Sequence, residues 1–102
     1  MAKRKLKAFT VKEIEQELKE FPEWNYDKEA KQLVTAFQFR DFAQAMAFVN
    51  SVGQIAEKLD HHPDIFIHDY NHVQIRTATH DPEGITDLDF DLADEIEELL
   101  AD

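Results

Sequence analysis

The chain has 102 residues, which suffices for one folded domain but not for two, so we expect residues 1–102 to form a single domain. Its 22 acidic and 11 basic residues give a net charge of −11, which argues against direct binding to nucleic acid. The absence of cysteine excludes disulfides, thiolate metal ligands and cysteine nucleophiles. No apolar run reaches membrane-spanning length, and we expect a cytoplasmic protein without a membrane partner.

Basic residues are concentrated at the start of the chain. Lys3, Arg4, Lys5 and Lys7 lie close together. No long apolar run follows them, so they do not belong to a secretory signal. We interpret residues 1–9 as a basic N-terminal tail that could be flexible.

The first half of the chain predicts a helix followed by two strands. Thr10 and Glu13 form a capping-box pattern that begins the helix, and Pro22 ends it. Its apolar stripe consists of Val11, Ile14, Leu18 and Phe21. Alternating residues predict a short strand over 24–26 and a longer one over 33–39, joined by a polar turn.

The second helix has the clearest pattern. It begins at Asp41, and Pro63 forces its end and pushes His62 toward extended backbone. Apolar residues recur at three- and four-residue steps: Phe42, Ala45, Met46, Val49, Val52, Ala56 and Leu59. Alternation then predicts strands over 65–67 and 73–79.

A turn over 81–84 precedes the last predicted helix. Thr86 and Asp89 form a second capping-box pattern. The helical stripe that follows consists of Leu88, Leu92, Ile96 and Leu99. The resulting order of three helices and four strands predicts an α+β fold, with a four-stranded antiparallel sheet and helices on one face.

All five histidines lie between positions 61 and 80. His61 and His62 end the second helix, and His80 ends a strand. Glu57 lies four residues before His61, on the same helical face, and Asp89 follows nine residues after His80. Since histidine changes charge near neutral pH, this cluster indicates a general acid/base site.

Each of these residues also has a purely structural interpretation. His61 could cap the last helical carbonyls, and His80 could be an ordinary strand-end residue. Asp89 could act only in its capping box, and Glu57 could be a solvated helix charge. Two further histidines are assigned to the surface: His68 and His72.

Metal binding is the rival chemical interpretation. Three histidines and a carboxylate could hold zinc. However, the side chains of adjacent His61 and His62 should point apart, and no zinc-binding motif is present. A phosphate-binding loop and a dinucleotide fingerprint are also absent. We therefore expect neither a metal nor a cofactor.

Taken together, these residues resemble the signature of the pterin-4a-carbinolamine dehydratases. The matching positions are Glu57, His61-His62-Pro63, Tyr70-Asn71, Thr79-His80 and Asp89. Further framework positions look similar: Trp24, Phe37-Gln-Phe39, Asp41-Phe42, Ala45, Phe48-Val49, Ala56, Asp64-Ile65, Gly84-Ile-Thr86 and Leu92-Ala93. The likeness extends over roughly residues 10–100. Two positions depart from the family pattern: Asp60 stands where many members have Asn, and Glu83 stands where members often have Gly.

The resemblance implies the same four-stranded fold, assembled as a homodimer or homotetramer. It also implies dehydration of 4a-hydroxytetrahydropterin to quinonoid dihydropterin, a step in tetrahydrobiopterin recycling linked to an aromatic amino-acid hydroxylase. The catalytic residues implied are His61, His62 and His80, with Asp89 orienting His80 or holding its charged form. The substrate-binding residues implied are Glu57, Asp60, His61, His62, Ala78, Thr79, His80 and Asp81.

Two other functions remain open. Some members of this family act as interaction or assembly proteins, for example as the dimerisation cofactor of a transcription factor. Retention of three histidines and Asp89 favours the enzyme. A metal-dependent hydrolase would be recognised by its sensitivity to a chelator.

Overall fold

Three α-helices and six short strands alternate along residues 6–101, the part of the chain that this computed structural model describes. The helices are α1 (Val11–Glu17), α2 (Phe42–Leu59) and α3 (Asp87–Leu100), and one 3₁₀ turn, Leu18–Glu20, follows α1. The strands are β1 (Asn25–Asp27), β2 (Gln32–Gln38), β3 (Asp64–His68), β4 (His72–Thr77), β5 (Thr79–His80) and β6 (Glu83–Gly84). The first helix is therefore shorter than the stripe ending at Pro22 predicts.

Four strands form one antiparallel sheet in the order β1-β2-β4-β3, while β5 and β6 form a separate antiparallel hairpin. The predicted α+β fold with three helices on one face is confirmed. The single strand predicted over 73–79 is wrong, because it is divided after Thr77. Thr77 pairs with Leu33 near the start of β2, so residue 79 pairs locally with Gly84 instead.

The core lies between the inner face of the sheet and the three helices. It is built from Ile14, Leu33, Ala45, Val52, Val73, Ile75, Leu92 and Ile96. Burying a side chain of this kind contributes about 1.5–3 kcal/mol. Four residues of the predicted apolar stripes are nevertheless exposed: Val11, Phe42, Met46 and Leu99. These stripes are wider than the surface that the sheet and neighbouring helices cover.

Side-chain caps fix where the helices begin. Thr10 and Thr86 each form the predicted capping box, with Glu13 and Asp89 respectively. Asp41 accepts a hydrogen bond from the backbone N–H of Gln44 at 2.8 Å, and this bond holds the pKa of Asp41 below its usual value.

The end of the predicted N-terminal tail is packed against the fold. The backbone N–H of Phe9 donates to the carbonyl of Ile85 at 2.8 Å, and the Phe9 ring stacks on Phe90 at 5.4 Å. Lys7 lies 3.9 Å from Glu13. The other basic residues of the tail, at positions 3–5, lie outside the described residues. Within residues 6–101, no helix is long and apolar enough to cross a membrane.

Candidate active site

Two adjacent histidines follow the C-terminus of α2, and one side chain is buried while the other is exposed. Asp60 adopts the left-handed conformation, with φ of 52°. The backbone N–H of His61 then donates to the carbonyl of Ala56 at 3.0 Å, and that of Asp60 to the carbonyl of Glu57 at 3.3 Å, as in a Schellman motif. The reversal leaves the His61 side chain 9% exposed and the His62 side chain 58% exposed.

His61 contacts a buried carboxylate. Its Nε2 lies 2.7 Å from Oδ1 of Asp89, whose side chain is fully buried. The pair joins the end of α2 to the first turn of α3, although the residues are 28 positions apart. The sequence suggested that Asp89 orients His80 or holds its charged form, and the histidine that Asp89 contacts in the structure is His61. Within β5 it is the buried Thr79 whose side chain reaches Asp89, whereas the next residue, His80, is exposed.

Asp89 accepts hydrogen bonds from four donors. Besides His61, the Thr77 hydroxyl donates to Oδ1 at 2.7 Å, and the Thr79 hydroxyl donates to Oδ2 at 2.8 Å. The backbone N–H of Thr86 donates to Oδ2 at 2.9 Å. One side chain thus serves both in the helix cap and in the histidine site. A carboxylate satisfied in this way can remain buried, because its charge is hydrogen-bonded on both oxygens.

His62 contacts a different carboxylate. Its Nε2 forms a hydrogen bond with Oε2 of Glu57, and both side chains are mostly exposed. Sequence spacing placed Glu57 on the same helical face as His61. In the structure it contacts His62 instead, since the backbone leaves the helix at Asp60 before either histidine.

A cavity of about 700 Å³ lies beside this exposed pair, between α2 and the start of β3. Its walls consist of Asn50, Gly53, Gln54, Ala56, Glu57, His62, Pro63 and Ile65. Its volume falls in the range typical of small-molecule sites. The mostly apolar walls and the few polar groups also match that kind of site.

His80 lies in a second, smaller cavity of about 280 Å³. The walls there consist of Ala30, Lys31, Gln32, Ala78, Thr79, His80, Glu83 and Gly84. Ala78, Thr79 and His80 line this cavity, whereas Asp60 and Asp81 are exposed and line neither cavity. Thr79 links this cavity to the buried pair, because its hydroxyl donates to Asp89.

Sequence reasoning did not single out Thr77, although the alternation of β4 identifies it as an inward-facing residue. It also did not identify Gly53 and Ile65, which line the larger cavity. No three histidine, aspartate or glutamate side chains are grouped to hold a metal ion anywhere in residues 6–101.

The sequence matches a known protein family over most of its length. The model of the family described as pterin 4 alpha carbinolamine dehydratase matches residues 7–99. A provisionally named pterin-4-alpha-carbinolamine dehydratase of Acidobacterium capsulatum is 47% identical over 91 residues, covering 89% of this chain and 96% of that protein. The provisionally named protein of Sulfurisphaera tokodaii is 43% identical over 95 residues, covering 93% of this chain and 99% of its own.

A solved structure shows the same fold. The crystal structure of a transcriptional coactivator/pterin dehydratase from Brucella melitensis superposes with a TM-score of 0.86 at 32% identity. The match covers 93% of this chain and all of the Brucella chain. Since the family model spans nearly the whole sequence and these relatives match it almost end to end, the chain belongs to the pterin-4a-carbinolamine dehydratase family.

Proposed function

We propose that this chain dehydrates 4a-hydroxytetrahydropterin to quinonoid dihydropterin by histidine acid/base catalysis. In this elimination the C4a–O bond breaks, and the departing hydroxide takes up a proton to become water. A base removes the N5 proton, and the electron pair of that N–H bond forms the C4a=N5 double bond. No electron transfer to another molecule is needed, so one acid and one base suffice.

The observation that carries the proposal is the buried contact between His61 and Asp89. Nε2 of His61 must carry a hydrogen, because it lies 2.7 Å from a carboxylate oxygen that can only accept. Nδ1 is then the ring nitrogen that can take a proton. When it does so, Asp89 stabilises the resulting imidazolium without any rearrangement, because its oxygens are already held by three other donors.

The exposed contact between Glu57 and His62 supplies the second proton-transfer group. Both residues line the larger cavity, whose volume of about 700 Å³ accommodates a bicyclic pterin. One Glu57 oxygen contacts His62. The other can accept from the amide and amino edge of the pterin ring.

His80 is the third group in the proposal. It lies beside Ala78 and Thr79, which line the same cavity. Thr79 connects His80's cavity to the buried carboxylate, since its hydroxyl lies 2.8 Å from Asp89. Addition of a non-reactive dihydropterin, followed by NMR shifts, would reveal which of the two cavities receives the ring.

The direct test follows loss of a synthetic 4a-hydroxytetrahydropterin by rapid-mixing absorbance. Buffer, the native protein, the protein with chelator, and the His61→Ala and His80→Ala variants are compared. We expect chelator-insensitive acceleration that is lost in both variants. Acceleration abolished by chelator would favour a metal-dependent enzyme. No acceleration by folded protein would favour an interaction or assembly role.

We further propose that the activity serves tetrahydrobiopterin recycling beside an aromatic amino-acid hydroxylase, in the cytoplasm. A homodimer or homotetramer is supported by large apolar side chains that are exposed on the single chain, namely Phe42, Met46 and Phe66. Light scattering coupled to gel filtration measures the assembly. A monomer at micromolar concentration would contradict this part of the proposal.

A further inference from the structure

Thr77 lies at the centre of the buried contact between His61 and Asp89. It is the last residue of β4 and is 1% exposed, with its side chain on the inner face of the sheet. Its hydroxyl oxygen lies 2.7 Å from Oδ1 of Asp89 and 3.3 Å from Nε2 of His61. The same carboxylate oxygen and the same ring nitrogen are themselves 2.7 Å apart.

With Asp89 ionised, the hydrogens in this triangle have one consistent arrangement. A hydroxyl has a single proton, and a carboxylate can only accept, so the Thr77 proton points at Asp89. The lone pairs of the Thr77 oxygen then face Nε2 of His61. The Nε2–H of His61 is accordingly shared between two acceptors, Oδ1 of Asp89 and Oγ1 of Thr77.

We infer that Thr77 is a positioning residue that fixes the ring orientation of His61; this inference rests on the proposed dehydration. A carboxylate alone would allow the ring to rotate about the axis of one hydrogen bond. The second acceptor holds the ring plane, because the Nε2–H must lie between two oxygens.

The two other threonines near Asp89, Thr79 and Thr86, contact its other carboxylate oxygen. Thr79 donates to Oδ2, and the Thr79 and Thr86 hydroxyls lie 2.7 Å apart. The Thr79 hydroxyl and the Thr86 backbone N–H both donate to the carboxylate oxygen that His61 does not contact. Thr77 is the one hydroxyl within residues 6–101 for which a contact to both His61 and Asp89 is found.

The test compares Thr77→Val, which removes the hydroxyl and keeps the shape, with Thr77→Ser, which keeps the hydroxyl. Thr35→Val is the matched control. Thr35 is also a buried threonine on the inner face of the sheet, and its hydroxyl donates to the carbonyl of Glu23 at 2.7 Å, outside the site. Thr77→Ala replaces Thr77→Val if the latter does not fold.

Two quantities are measured on each variant. The first is the ¹⁵N shift of Nε2 in the His61 ring, which reports the hydrogen bonding of the Nε2–H. The second is the pair kcat and KM for dehydration of 4a-hydroxytetrahydropterin. Thr77→Val should move the Nε2 shift from its native value and reduce kcat roughly tenfold, with KM changed less than about twofold, since one of the two acceptors that hold the ring is lost. Thr77→Ser should resemble the native protein in both quantities.

Thr35→Val should unfold more easily than the native protein and keep its kcat and its His61 shifts. Native shifts and kcat in both Thr77→Val and Thr77→Ala would overturn the inference. A loss of kcat in Thr35→Val equal to that in Thr77→Val would also overturn it, since the effect would then be general destabilisation. If the native protein does not dehydrate the substrate, the proposed function fails, while a changed Nε2 shift in Thr77→Val still supports the positioning role.

Discussion

Two histidine–carboxylate contacts lie side by side in this molecule and differ almost only in their access to water. Glu57 and His62 are 77% and 58% exposed in their side chains, whereas Asp89 and His61 are 0% and 9% exposed. In the exposed contact, water screens the charges and both side chains can move, so the interaction contributes little stability. In the buried contact, a hydrogen-bond network holds both side chains, and removal of Asp89 would leave His61 and three other donors without this acceptor.

The difference arises within a few residues of sequence. The left-handed conformation of Asp60 turns His61 toward α3, and the next residue then points outward. Two adjacent residues of the same type therefore differ in how firmly they are held, because burial and additional hydrogen bonds fix the orientation of only one of them.

The largest effect is expected from removing the buried imidazole. His61→Ala should slow dehydration by about 10²–10⁴-fold, the usual contribution of a positioned acid or base. His62→Ala should slow it less, because the exposed ring is not held in one orientation. Single-turnover absorbance measures both rates, and circular dichroism checks the fold. A greater loss in His62→Ala would reverse the assignment of the two pairs.

Removal of the two carboxylates should have very different effects on the free energy of unfolding. Asp89→Ala leaves buried donors without an acceptor and should lower the free energy of unfolding by roughly 3 kcal/mol or more. Glu57→Ala is the matched control and should cost below about 1 kcal/mol, as exposed ion pairs do. Urea unfolding at neutral pH measures both changes. Equal losses would show that burial does not distinguish the two pairs.

The left-handed backbone of Asp60 directs His61 and His62 to different partners, and it should affect the unfolding temperature of substituted variants. A β-branched side chain is unfavourable in the left-handed region, so Asp60→Val should cost about 1–2 kcal/mol. Asp60→Gly should preserve or raise the stability, because glycine adopts this conformation readily. Thermal unfolding of the two variants gives the order. A valine variant as stable as the glycine variant would mean that the turn rearranges.

The smallest effect concerns Glu97, a partly buried carboxyl that lacks the donors of Asp89. Burial raises the pKa of Glu97, the nearby indole N–H of Trp24 opposes this rise, and the charge of Glu23 adds to it. The indole N–H favours the charge without completing a hydrogen bond, since Nε1 of Trp24 and Oε2 of Glu97 are both unpartnered within residues 6–101.

Because its folded-state pKa lies above the ordinary value of 4.5, Glu97 holds its proton more tightly in the folded chain. The stability gained from this tighter proton binding is fully present below pH 4.5 and is lost as the pH rises through the raised pKa of Glu97. Glu97→Gln should therefore raise the unfolding temperature at pH 7, by an amount that shrinks as the pH falls. The exposed Glu98→Gln is the control. A pH-independent gain would show that ionisation is not its cause.

Much of the fold was predictable because its signals are local. The capping boxes at Thr10 and Thr86 and the cap at Asp41 mark helix starts within single turns of the chain. The division between β4 and β5 was not predictable, because it depends on where the partner strand β2 begins. Exposure of Phe42 and Met46 was likewise missed, since periodicity identifies an apolar stripe and not what covers it.

The sequence by itself determined the set of chemical groups: histidines at 61, 62 and 80, carboxylates at 57 and 89, and the helix ends that carry most of them. The family resemblance depended on these same residues, and the comparisons confirm it. Only the tertiary structure decided the pairing, in which Asp89 contacts His61 and Glu57 contacts His62. The physical reason is that partners 28 residues apart meet only when α2, β4 and α3 have packed, and this packing also decides which pair is shielded from water.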